Sequence, residues 1–145
     1  VTLIELMVVL VVLALLCAVA YPSYAEAVRK GRRSEARAAL AEFMQQQERY
    51  MTQAGTYRQT TLGETASPFK THAGERRTGT SYLLGATACE GAASGAGGTL
   101  PLDECVRLSA TPQRPDPDAG TLWIDSTGRK GCDGTRRAEP GMCWQ

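Results

Sequence analysis

The sequence predicts an α+β fold, in which the C-terminal half of one long N-terminal helix packs on a small antiparallel sheet of about four strands. Three observations carry that expectation. Residues 1–53 are made of helix-forming residues, apolar on every face at first and on a single face later. Residues 81–132 hold four short runs with alternating apolar positions, separated by turn signals. Four cysteines fall in the C-terminal half, an even set of the kind that staples a domain whose core is marginal. The predicted organisation is an extended helix over 1–53, divided into a hydrophobic segment (1–21) and an amphipathic half (22–53), followed by a globular head over 54–145.

Val1 to Tyr21 is apolar except at Thr2 and Glu5, with Tyr21 at its edge. About twenty such residues in a helix span a bilayer's hydrocarbon core. A secretory signal peptide would carry a basic start, a shorter apolar run and a small-residue cleavage site, none of which is present. Glu5 lies one turn inside the span, where an ionised carboxylate costs at least about 2.5 kcal/mol and is usually paired. Its candidate partner is an α-amino group, either that of its own Val1 or that of a neighbouring subunit. The bland alternative is a carboxyl near the membrane surface, protonated or reaching out to water. Arg29, Lys30, Arg32 and Arg33 follow the span and would face the cytoplasm by the positive-inside tendency, whereas the cysteines require the head to lie in an oxidising compartment. A basic leader, removed after it had set the orientation, reconciles the two, and the Val start fits such processing.

The amphipathic half carries Val28, Ala36, Ala39, Leu40, Phe43, Tyr50 and Met51 at helical spacing, with Arg33, Arg37, Glu48 and Arg49 assigned to the opposite face. Glu26 stands four residues ahead of Lys30, a favourable pair. Gly55 is the expected stop. Pro22 lacks a backbone donor and disfavours helical geometry at Tyr21, which predicts a kink, and Gly31 is a second soft point. Fully helical, residues 1–53 would extend about 80 Å. Only the second half has a one-sided stripe, so the all-apolar first half needs lipid or the same segment of other subunits to shelter it from water.

In the head, residues 56–80 show no periodicity and read as a long surface loop. Strands are expected at Ser81–Ala88, Cys105–Ala110, Thr121–Asp125 and Arg129–Cys132, the last two joined as a hairpin by Ser-Thr-Gly. The flexible tract GAASGAGG lies between Cys89 and Cys105. Two sequence-local bridges, Cys89–Cys105 and Cys132–Cys143, are favoured over the two other connectivities. Each would contribute roughly 3 kcal/mol in the loop-entropy picture. Zinc is disfavoured, because no C-x-x-C spacing occurs and His72 is distant. Cys17 reads as a small apolar filler.

The formal net charge is +1, and residues 54–145 carry ten cations against ten anions. A neutral head gives little long-range field for nucleic acid. Arg76, Arg77, Arg129, Lys130, Arg136 and Arg137 are candidate DNA contacts if they converge, and solvated surface charges otherwise. Asp116 and Asp118 are candidate calcium ligands, with two solvated carboxylates in a Pro-rich turn as the plainer reading. No nucleophile–base arrangement or phosphate loop is present, and one His limits proton transfer. Neither an enzyme nor a cofactor is expected.

VTLIELMVVLVVLALLCAVAYPSY resembles the N-terminus of mature type IV pilins of the type IVa class, through Thr2, Leu3, Ile4, Glu5, Leu6 and Tyr21-Pro22, and more loosely to Tyr57. Gly120-Thr121-Leu122-Trp123-Ile124-Asp125-Ser126-Thr127-Gly128 and the terminal Cys143-Trp144 resemble PilE-like and ComP-like members, although Ala119 stands where relatives often have Cys. The resemblance implies a type IV pilin fold and a prepilin-peptidase cut before Val1, which replaces the usual Phe and would carry the N-methyl group. It further implies assembly through Val1, Thr2 and Glu5, with Glu5 paired to a neighbour's amine. Unwinding would occur upstream of Pro22, closer to it than to Ala14, where many members have Gly. The implied protein is the principal structural subunit of a surface filament serving adhesion, twitching motility or DNA uptake, made with the pilus assembly machinery. It would pass from the inner membrane to an extracellular pilus of a Gram-negative bacterium and contact DNA or host and abiotic surfaces. The alternatives are a minor pilin acting as a DNA-uptake receptor, a type II secretion pseudopilin, and a single-span membrane protein that never polymerises.

Overall fold

The computed structural model describes residues 1–91 and 97–145. The middle of the GAASGAGG tract, and with it the expectation of flexibility there, lies outside the described residues. A single helix, α1, runs from Leu3 to Ala54. By internal contacts the chain divides into two compact units, Val1–Arg32 and Arg33–Gln145.

The first unit is helical from Leu3 onward and stays helical through Pro22, with every residue of 1–24 exposed. In this single chain the helix is therefore unbroken at the position where the sequence predicts a kink. Glu26 pairs with Arg29 at 3.9 Å, one turn away, where the sequence suggested Lys30. Both spacings bring side chains together on a helix.

The second unit contains the rest of α1, a four-stranded sheet and a short helix. The strands are β1 (Tyr82–Ala88), β2 (Val106–Pro112), β3 (Leu122–Asp125) and β4 (Lys130–Cys132), in the order β1-β2-β3-β4 and antiparallel throughout. Opposed residues in such a ladder share a face. Thus Tyr82, Leu84 and Ala86 line up with Val106, Leu108 and Ala110, and then with Leu122 and Cys132. These join Ala36, Ala39, Leu40 and Phe43 of α1 in one buried core. Gly55, at φ +74°, donates its N–H to Met51 O at 2.8 Å and closes the helix by the left-handed cap that glycine permits. Gly128, at φ +91°, completes the β3–β4 turn.

The segment between α1 and β1 is irregular but pinned, and Tyr57, Thr60, Thr71 and Ala73 are buried in it. Gln47, wholly buried, holds the backbone of Arg58 with both ends of its amide, at 2.7 and 3.0 Å. Phe69 packs 5.7 Å from the rings of both Phe43 and Tyr50. A bridge joins Cys89 to Cys105 and another joins Cys132 to Cys143, with Cα separations of 5.6 and 6.4 Å. The second ties β4 to a helix not anticipated from sequence, α2 (Pro140–Trp144).

Two expectations are overturned in this unit. Arg33 was assigned to the solvated face of α1 and Asp116 to a solvated turn, yet both are buried and form a two-pronged ion pair. Nε and Nη2 of Arg33 each donate to a carboxylate oxygen of Asp116 at 2.7 Å. The guanidinium fork matches a carboxylate edge, so the pair enters the interior with both donors satisfied. Asp118 is half-buried, so the reading of two solvated carboxylates fails for the pair as a whole.

Candidate assembly site and nucleic-acid interface

The start of α1 is built by its own side chains. Thr2 is the residue before the helix and Glu5 its third helical residue, the spacing of a capping box. The Thr2 N–H donates to Glu5 Oε2 at 3.4 Å, and the Glu5 N–H donates to Thr2 Oγ1 at 3.3 Å. The geometry adds a role the sequence reading missed, although the Thr-x-x-Glu pattern ahead of an apolar run signals it. Glu5 closes the helix start of its own chain while its carboxylate stays exposed. Beyond it, Leu3 to Val19 form an apolar surface with no part of the candidate span covered within the chain. By length and composition α1 is able to cross a membrane. Cys17 is a free thiol on that exposed surface.

The six candidate DNA-contacting residues do not form one cluster. Arg76 and Arg77 lie in the turn leading into β1, whereas Arg129 and Lys130 lie at the β3–β4 turn and Arg136 and Arg137 follow β4, the opposite edge of the sheet. Several are engaged locally. Arg77 donates to Thr71 Oγ1 at 3.1 Å and to the carbonyl of Gly63. Arg129 binds Asp125 at 2.8 Å, and Arg136 binds Glu139 at 2.7 Å, a contact that raises its pKa. The Lys130 ammonium stands 5.4 Å from the centre of the Trp144 ring. Arg76 and Arg137 are exposed and make no ion pair among the described residues. Arg137 borders an open depression of about 490 Å³ together with Pro117, Asp133, Gly134 and Thr135.

A cation that the sequence reading passed over is Arg107 on β2. Its guanidinium lies 4.1 Å from the Trp123 ring centre and pairs with Glu90 at 3.6 Å. The signal available in the sequence was its place between the core positions Val106 and Leu108, which puts it on the face away from α1.

Asp125 is a heavily bonded carboxylate of the head. It accepts the Thr127 hydroxyl at 2.6 Å, the Thr127 and Arg129 N–H groups at 3.0 Å, and the Arg129 guanidinium at 2.8 Å. Burial raises its pKa, but the bonds from Thr127 and Arg129, with the arginine's charge, lower it by more, and the net shift is downward. Cys89, Cys105 and Asp125 place their ligand atoms within 4.8 Å of one another. The two sulfurs are bonded to each other, so neither is a thiolate able to bind a metal.

A long helix with an apolar N-terminal half, whose second half packs on a four-stranded antiparallel sheet, with two bridges toward the C-terminus, defines a type IV pilin-like protein. Residues 22–119 match the family described as "Type IV minor pilin ComP, DNA uptake sequence receptor", and the chain belongs to that family. No individual curated protein and no solved structure matches it. Family and apolar helix together fit a membrane-anchored or pilus location.

Proposed function

We propose that this chain is a structural, non-catalytic subunit of a type IV pilus, held in the inner membrane by residues 1–21 and then inserted into the filament through the same segment. The observation that carries this reading is the exposed apolar surface from Leu3 to Val19 with Glu5 near its tip. Water cannot stabilise that surface, and in a filament neighbouring copies of the helix replace the lipid. Glu5 exchanges its bond to Thr2 for the α-amine of a neighbouring subunit, N-methylated on Val1, and Pro22 allows local unwinding as helices pack.

The capping box sets the experiment. Glu5→Gln keeps a side chain able to close the helix start but carries no charge, whereas Glu5→Ala loses both. Sheared surface filaments counted by electron microscopy should fall at least tenfold for both variants. Normal filaments from Glu5→Gln would reduce Glu5 to a capping residue and overturn its role in assembly.

A second reading is favoured by the family match: a minor pilin that presents a DNA receptor within the filament. The matched family is one of minor pilins, which supports this reading beside that of a principal subunit. Of the six candidates, Arg76 and Arg137 are exposed and make no ion pair among the described residues, which leaves their guanidinium groups open to phosphate. Arg76→Glu and Arg137→Glu should each weaken duplex binding several-fold and reduce the salt dependence by about one charge, with filament incorporation intact. Unaltered binding by both variants would remove these residues from the interface.

A further inference from the structure

The basic cluster just past the span is left without a task by assembly through residues 1–21 and by DNA contact through the head. Its first three members, Arg29, Lys30 and Arg32, lie in the first unit, with Arg29 and Lys30 following the two exposed tyrosines Tyr21 and Tyr24, which are 75% and 71% accessible. On a helix, Tyr21, Tyr24, Val28 and Arg32 fall on one stripe, while Arg29 and Lys30 point round the remaining sides. Tyrosines at the end of an apolar span are typical of the membrane–water boundary. With Tyr21 at one boundary, Glu5 lies about 24 Å away along the helix, close to the opposite side of a hydrocarbon core about 30 Å thick. Lys30 then stands about 13 Å beyond Tyr21, past a headgroup layer about 5–8 Å deep, and its extended stem reaches back toward the phosphates. Arg29 shares its charge with Glu26 at 3.9 Å, Arg32 is half-buried, and Lys30 is exposed. Arg33, the fourth cation of the run, is turned inward to Asp116 and takes no part.

We infer that Arg29, Lys30 and Arg32 form a collar that binds the headgroups of anionic phospholipids on the outer side of the span while the subunit resides in the membrane. Cations placed outside run against the usual topology of a membrane helix, and negatively charged headgroups offset that bias. Headgroup binding also fixes how deep the helix sits, and therefore the level at which Glu5 waits. The inference rests on the membrane-inserted state proposed above.

The test uses the full-length chain in lipid nanodiscs of phosphatidylcholine mixed with phosphatidylglycerol, with retained lipids counted by native mass spectrometry. The wild-type chain should retain phosphatidylglycerol in excess. Lys30→Gln with Arg32→Gln should lose that excess, by about fivefold for each cation removed at low salt, at unchanged helix content. Equal retention of the two lipids by the wild type, or an excess that survives the double substitution, overturns the collar. So does displacement of phosphatidylglycerol by duplex DNA or inorganic phosphate at the same phosphate concentration, which would mark a general anion site. Failure to enter the discs overturns the membrane-inserted state as well, whereas entry without selection overturns the collar alone.

Discussion

Two carboxylates show how much a single side chain decides in this head. Asp116 meets Arg33 in the interior, with the two side chains 6% and 3% accessible, and it also accepts the Ala119 N–H at 3.4 Å in the turn before β3. Removing one member strands a charge away from water. Asp116→Ala should cost about 3–5 kcal/mol, while Arg33→Leu combined with Asp116→Leu should recover most of that loss. Denaturant unfolding of the full-length chain in detergent measures both, and equal losses would show that the pair is not coupled. Asp125 gives a pH dependence. Its folded-state pKa lies below the ordinary value of 3.8, so its contribution is complete above that value and is lost as pH falls through the folded one. Asp125→Asn should flatten the acid limb of the stability profile below about pH 4 and lower stability at neutral pH, where its bonds to Arg129 are charge-assisted. An unchanged acid limb would dismiss Asp125 as its source.

Among the elements, β4 is the shortest strand and depends on a missing side chain. A Cβ on Gly131 would sit 2.8 Å from the indole of Trp123, whose neighbour Arg107 leaves it little freedom to move. Gly131→Ala should therefore cost about 1–3 kcal/mol by overpacking, seen as a lower thermal midpoint; an unchanged midpoint would mean that the indole moves aside. The strands themselves were legible because each alternates across one covered face, and Leu84, Leu108 and Leu122 sit where alternation places them. The helix was legible from its composition and from Gly55. Alternation and helical spacing report on neighbours within an element, and this limits what they reach. The contact of Arg33 with Asp116 spans 83 positions, so nothing local marked either residue as buried. α2 is five residues long, too short for periodicity, and its Cys143 is held by a bridge rather than by helical preference. At the helix start, the Thr-x-x-Glu spacing carried the signal of the Thr2–Glu5 bonds, whereas the separation of the six basic residues between two sheet edges required the strand order.

For the whole molecule, two bridges reinforce a small core. They close loops of 16 and 11 positions, and all four cysteines are at least 95% buried. Loss of either bridge should cost roughly 3 kcal/mol, and reductant should act slowly on the folded chain because the sulfurs are shielded. A Cys89→Ser/Cys105→Ser variant that unfolds at the wild-type midpoint would show that the sheet is self-sufficient. Cys17 is the contrasting thiol, exposed on the helix. Thiol labelling of the subunit in detergent should modify it, and labelling should be blocked once the helix is packed among others in a filament. Equal labelling in both states would place that face of the helix outside the packed core.

The wiring of the sheet carries one more consequence. Each strand bonds to the strand made just before it, so no segment has to idle until some distant stretch of polypeptide turns up. On the membrane route proposed above, a chain threaded tail-last would settle its ladder rung by rung as it emerges. Few moments would then remain when a bare edge is offered to sibling molecules in the same patch of lipid.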